Sequence, residues 1–123
     1  MNPANGKSLL VVVRRPPYSD SLARAALDAA LAAAAFDQPV DLLFLGDGVL
    51  QLLPQQDPAA VGRKSVARLL ASLPLYGIEQ VSVDATAVAR YRFDPVDSPV
   101  PAVTLDTAAI RALLQQHDNL LGF

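Results

Sequence analysis

Apolar runs alternate along this chain with shorter polar stretches that contain proline or glycine. The runs at residues 8–13 and 40–46 are almost continuously aliphatic, which is typical of strands buried on both faces of a parallel sheet. Shorter runs at residues 80–83, 102–105 and 119–121 predict three further strands. The pattern therefore predicts five strands.

Helical patterns fill the gaps between these strands. The predicted helices span residues 21–36, 49–53, 61–72, 85–91 and 107–115. The first is almost entirely alanine and leucine, which predicts a helix covered on more than one side. The proline-rich stretch at 94–101 is predicted to be a mobile surface loop.

The alternation of strand and helix predicts an α/β fold, a parallel sheet with helices on both faces, in a single domain spanning residues 1–123. Right-handed crossovers restrict the possible topologies. The longest apolar stretch, at 29–36, falls far short of the roughly 20 residues of a membrane helix, and the first residues lack the pattern of a signal peptide. A cytoplasmic protein without membrane contact is expected.

Composition adds an expectation about partners. Apolar residues make up 52% of the chain and charged residues only 18%, with a mean hydropathy of +0.30. Little polar material is left to cover a small domain, so part of the apolar surface is predicted to meet a partner. The net charge of −2 comes from dispersed residues, and no direct nucleic-acid contact is expected without clustered lysine and arginine.

The turn Gly46-Asp47-Gly48 follows a predicted strand but matches neither dinucleotide nor P-loop motifs. It is interpreted as a tight turn with Asp47 capping the next helix. Ligand binding at that strand end is the alternative, because open α/β sheets bind ligands there.

No catalytic, cofactor or metal site is predicted. The single histidine, His117, is expected to have a surface or capping role, because one histidine cannot form a metal cluster or a triad. Asp94 and Asp97 are expected to be solvated with ordinary pKa values.

Two groups of residues are candidates for contacts. Arg63, Lys64 and Arg68 form the best basic patch and are interpreted as a solvated helix face, with docking of an acidic protein surface as the alternative. Tyr76 and Phe123 end predicted elements, where core packing and an interface contact both remain open.

Three stretches carry a resemblance. They are AAAF at 33–36 with LFLGDGVLQLL at 43–53, then LPLYGIEQV at 73–81, and DNLLGF at 118–123. Together they resemble the TusC/DsrF family of sulfur-relay proteins. The motifs add Asp47, Gly48 and Gln51 to Tyr76 and Phe123 as candidate interface or motif residues.

The resemblance implies a DsrE/DsrF-like α/β/α fold, flavodoxin-like, with five parallel strands in the order 4-3-2-1-5. It also implies TusB-like and TusD-like partner subunits in a dimer of heterotrimers. Sulfur would pass from a TusA-like donor to a TusE-like acceptor and end as the 2-thio group of the wobble uridine in tRNA.

Related subunits carry sulfur on a cysteine after the third strand, and Asp84 stands at the matching position here. This chain contains no cysteine at all. Since a persulfide is carried on a thiolate, the resemblance implies a non-catalytic subunit that acts through contacts. The alternatives are a DsrF-like subunit of a sulfur-oxidation complex and a small-molecule-binding flavodoxin-like domain.

Overall fold

The computed structural model describes residues 8–16, 22–53 and 68–123, and at residues 22 and 23 the helical backbone only. Within this part of the chain, five parallel strands form one sheet in the order β4-β3-β2-β1-β5. The strands are β1 (Leu9–Val13), β2 (Val40–Phe44), β3 (Val81–Asp84), β4 (Ala102–Leu105) and β5 (Asn119–Gly122). The predicted strands and the implied order are confirmed, with strand ends within two residues of prediction.

Four α-helices connect or precede these strands. They are α1 (Leu22–Ala35), α2 (described at residues 68–72), α3 (Ala85–Arg90) and α4 (Thr107–Gln116). Residues 61–67 of the helix predicted at 61–72 lie outside the described part. Three 3₁₀ helices complete the described elements, at Gly46–Leu52, Leu73–Tyr76 and Pro95–Asp97.

Strand β1 is the centre of the core. All five of its side chains are buried, and it pairs in parallel with β2 on one side and β5 on the other. Leu10 and Val12 face α4, against which they pack together with Leu43. The alternate side chains, such as Val11, join the larger cluster under α1 on the opposite face. The double-sided burial explains why the strand contains no polar residue.

Within the described chain, the Ala-rich helix α1 is covered on one side, and coverage of a second side stays a prediction. Ala26, Leu27 and Ala30 are buried, whereas Ala25 and Ala32 are exposed. Alanine has the highest intrinsic helix propensity. An alanine-rich face can therefore form a helix without burying all of its surface.

The proline-rich stretch at 94–101 contains more structure than a loop alone. Its 3₁₀ helix starts after Asp94, whose carboxylate accepts the Val96 N–H at 3.0 Å. Val100 is buried, and Asp94 and Asp97 are exposed as expected. No helix among the described residues is long and apolar enough to cross a membrane.

Gly48 is required by a close approach between two backbone segments. A Cβ built at Gly48 would lie 2.0 Å from the carbonyl oxygen of Val13 and 2.7 Å from its carbon. Real Cβ atoms do not approach backbone atoms so closely, so any larger residue must displace the 3₁₀ helix Gly46–Leu52 from the end of β1. The motif glycine therefore sets how this helix packs on the sheet.

We expect Gly48→Ala to lower the free energy of unfolding by about 2 kcal/mol or more, since overpacking a rigid backbone contact costs about 1–3 kcal/mol. Urea unfolding measures the change. The control is Gly122→Ala, whose added Cβ meets only the Arg14 side chain at 3.6 Å. Equal stability of the two variants would contradict the close-approach argument.

Candidate functional site at the carboxyl edge of the sheet

The carboxyl edge of the sheet, where β1, β2, β3 and β5 end, collects most of the candidate residues. Asp47, Gly48 and Gln51 lie on the 3₁₀ helix after β2, Asp84 ends β3, and Phe123 follows β5. Tyr76 precedes β3 and lies at the opposite, amino edge. Parallel topology brings these distant segments together because all strand ends of one kind share an edge.

Asp84 links two strand ends. One carboxylate oxygen accepts the Thr86 N–H at 3.0 Å and caps α3, and the other accepts the Gly46 N–H at 3.2 Å. Asp84 is half-buried. Both oxygens therefore accept backbone hydrogen bonds, which gives this side chain a structural role at the end of β3.

Asp47 does not cap the helix, so that interpretation is wrong. The 3₁₀ helix begins at Gly46 and follows Leu45, which places Asp47 inside the first turn. Its carboxylate instead accepts a hydrogen bond from the Tyr91 hydroxyl. This bond favours the neutral phenol and, with desolvation as a smaller cause, raises the pKa of Tyr91 above its ordinary value of 10.0.

Gln51 and Phe123 hold the edge together from other directions. Gln51 is only 7% exposed, and its amide donates to the Arg15 carbonyl at 3.2 Å. Phe123 packs partly against the core, and its backbone bonds Val12 and Arg14 at 2.8 and 3.0 Å. Among the described contacts, both residues serve the fold, and an interface contact at the partly buried Phe123 stays a prediction.

Tyr76 is half exposed, and the adjacent Leu75 is 85% exposed. Neither belongs to the described core clusters. The core-packing interpretation of Tyr76 is therefore wrong, and Gly77, with φ of +87°, turns the chain immediately after it. Of the basic patch, only Arg68 lies in the described part, and it is exposed.

His117 has the expected capping role but not a surface position. Its side chain is 5% exposed. One ring nitrogen contacts the Leu113 carbonyl at the end of α4 at 2.8 Å, and the other contacts the Asp41 carboxylate at 2.7 Å. The ring thus joins α4 to β2 across the amino end of β1. A residue 76 positions away cannot be found from local sequence.

The chemistry available at the carboxyl edge is limited to hydrogen bonding and charge. No group of three His, Asp or Glu residues in the described part could hold a metal ion, and the sequence has no thiol. A cleft of about 330 Å³ lined by Arg14, Arg15 and Pro16 lies at the end of β1. At the Gly46–Gly48 turn, Gly48 lies against the end of β1, whereas the space beside Gly46 is open.

Sequence reasoning missed Tyr91 and Arg14 at this edge. The sequence predicts Tyr91 only as the last residue of a helix, because its partner Asp47 lies 44 residues away. Arg14 follows β1 directly, and its exposed side chain lies near Gly122 of β5. For Tyr91 and Arg14 alike, the available signal in the sequence is that they lie at the same predicted edge of the sheet as the Gly46–Gly48 turn.

The strand order and the edge described above define a class of small α/β/α domains built on one five-stranded parallel sheet. The crystal structure of the ychN protein from E. coli has the same fold, with a TM-score of 0.80 over 95% of this chain and 99% of that one. At 16% identity, this likeness concerns the fold alone. The chain belongs to the DsrE/DsrF-like family, whose model matches residues 7–123.

Within this family, the chain is similar to proteins named TusC. It is 39% identical to the Protein TusC homolog of Pseudomonas aeruginosa over 115 residues, which cover 94% of this chain and 97% of that protein. It is 35% identical to Protein TusC of Klebsiella pneumoniae over 118 residues, covering 95% and 99%. The resemblance drawn from the three motifs is confirmed.

The two bonds of Asp84 can be separated by substitution. Asparagine is as good an N-cap as aspartate, but it has only one acceptor oxygen, so Asp84→Asn keeps the Thr86 bond and loses the Gly46 bond. We expect a loss of about 0.5–1.5 kcal/mol in the free energy of unfolding. The matched control is Asp106→Asn, where the aspartate caps α4 through the Ala109 N–H alone. Indistinguishable losses in the two variants would contradict the link to Gly46.

The bond between Asp47 and Tyr91 predicts a titration. In Asp47→Asn the acceptor is no longer charged, so the pKa of Tyr91 should fall toward its ordinary value. NMR with ¹³Cζ-labelled tyrosine resolves the three tyrosines of the chain and follows each one with pH. Asp94→Asn is the control and should leave Tyr91 unchanged. An equal pKa of Tyr91 in the parent and in Asp47→Asn would rule out the bond in solution.

Proposed function

We propose that this chain is a non-catalytic subunit of a sulfur-relay complex for 2-thiolation of the tRNA wobble uridine. The observation that carries the proposal is a TusC-type sequence in which the edge expected to carry sulfur has no thiol and an aspartate whose two oxygens each accept a backbone hydrogen bond. The proposed role is therefore to support a partner's chemistry through contacts.

The chemical argument concerns the persulfide. Sulfane sulfur is taken up and transferred by a thiolate, and a carboxylate neither attacks sulfane sulfur nor holds it. At Asp84, moreover, both oxygens already accept backbone hydrogen bonds. We infer that Asp84 stabilises the strand ends and takes no part in sulfur transfer.

The proposed partners are TusB-like and TusD-like subunits, in a dimer of heterotrimers in the cytoplasm, with a TusA-like donor and a TusE-like acceptor. Exposed apolar surface supports the need for partners. Among the described residues, seven large apolar side chains are at least 37% exposed, and patches of such residues commonly mark protein contacts.

The test combines a deletion with labelling. In a strain lacking this chain, 2-thiouridine in tRNA should fall severely, and the parent sequence or Asp84→Asn should restore it to within a few-fold. When the complex is incubated with a cysteine desulfurase and ³⁵S-cysteine, the label releasable by dithiothreitol should reside on the partner subunits and not on this chain.

Three results separate the alternatives. Stable reducible label on this chain would contradict the accessory role. Failure of Asp84→Asn to restore thiolation in an assembled complex would show that the charge at Asp84 participates. Unchanged tRNA thiolation in the deletion strain, with impaired oxidation of reduced sulfur compounds, would favour the DsrF-like alternative, for which the family match to DsrE/DsrF-like proteins is the supporting observation.

A further inference from the structure

The most exposed apolar side chains of the described chain lie on three loops at one edge of the sheet. The amino-edge loops are residues 36–39 before β2, 73–80 before β3 and 93–101 before β4. Each exposes one large apolar residue almost fully: Phe36 at 83%, Leu75 at 85% and Val96 at 86%. Since β2, β3 and β4 are neighbours in the sheet, these loops are neighbours as well.

The amino-edge loops also carry unbalanced charge. They contain four exposed carboxylates, Asp37, Glu79, Asp94 and Asp97, and no lysine or arginine, with Arg92 immediately before the third loop. None of the four forms an ion pair with any described residue, whereas Asp41 at the same edge is paired with His117. Within the described part of the chain, unpaired negative charge therefore lies on the same loops as the exposed apolar residues.

The third loop adds a concave surface. A hollow of about 390 Å³ is lined by residues 95–102 other than Asp97. Its lining contains three prolines, whose fixed φ angles limit the freedom lost when a partner binds. An apolar side chain from a partner could enter this hollow beside the exposed Val96.

We propose that the amino-edge loops dock a partner protein whose contact surface is apolar at its centre and carries lysine and arginine at its rim. The inference rests on the proposed function, because the partner is one of the subunits of the complex. Opposite charge at the rim steers association and fixes orientation. A second copy of this chain is disfavoured on the same edge, because pairing the same loops would place the carboxylates of both copies together.

The experiment uses the tagged chain coexpressed with the TusB-like and TusD-like chains of the same organism. We expect Leu75→Ser with Val96→Ser to reduce capture of a partner at least about tenfold. Glu79→Lys with Asp97→Lys should also reduce capture, and capture by the parent chain should weaken as NaCl rises from about 0.05 to 0.5 M. The side chains are exposed, so the melting temperatures should stay within about 2 °C of the parent.

The control is Leu120→Ser on β5. It makes the same change from an apolar to a polar side chain, at a position that is 51% exposed and lies away from the amino-edge loops. It should retain capture.

Undiminished capture by the two double variants of the amino-edge loops, or an equal loss in Leu120→Ser, would overturn the docking surface while leaving the proposed function intact. If the parent captures neither chain, the proposed function and this surface both fail. Self-association that the amino-edge variants abolish, seen by light scattering, would identify a second copy as the occupant and overturn the proposal.

Discussion

The burial of β1 is the constraint on which the rest of the structure depends. Its five aliphatic side chains have essentially no contact with water, and its backbone bonds strands on both sides. Such a strand needs a cover on each face, which α1 and α4 supply from opposite sides. Gly48 then allows the helix after β2 to close over the end of β1, where a methyl group would collide with the Val13 carbonyl.

The carboxyl edge is therefore occupied by contacts that hold strand ends together. Asp84 joins β3 to the turn after β2, Gln51 reaches the segment after β1, and Phe123, which follows β5, bonds the backbone at the end of β1. In a protein of this family, such an edge is a natural place to look for chemistry. Here its polar groups are engaged by the fold, which fits a subunit that contributes surface.

The amino edge differs in physical character. Its loops carry exposed apolar side chains and four carboxylates that form no ion pair with any described residue. The carboxyl edge thus holds internal hydrogen bonds, whereas the amino edge presents exposed apolar and charged side chains. The division follows from parallel topology, which places every loop of one kind at the same end.

The sequence by itself determined the strands, the Ala-rich helix and the absence of a thiol, because continuous aliphatic runs and composition are local properties. Its motifs also led to the family. The tertiary structure decided which residues meet: Asp47 with Tyr91, His117 with Asp41, and Asp84 with Gly46. It also decided that Tyr76 is exposed and Gln51 buried. The contacts of Asp47, His117, Asp84 and Gln51 join residues that are 36 to 76 positions apart in the sequence. A local pattern of apolar and polar residues does not show which of these distant segments will meet.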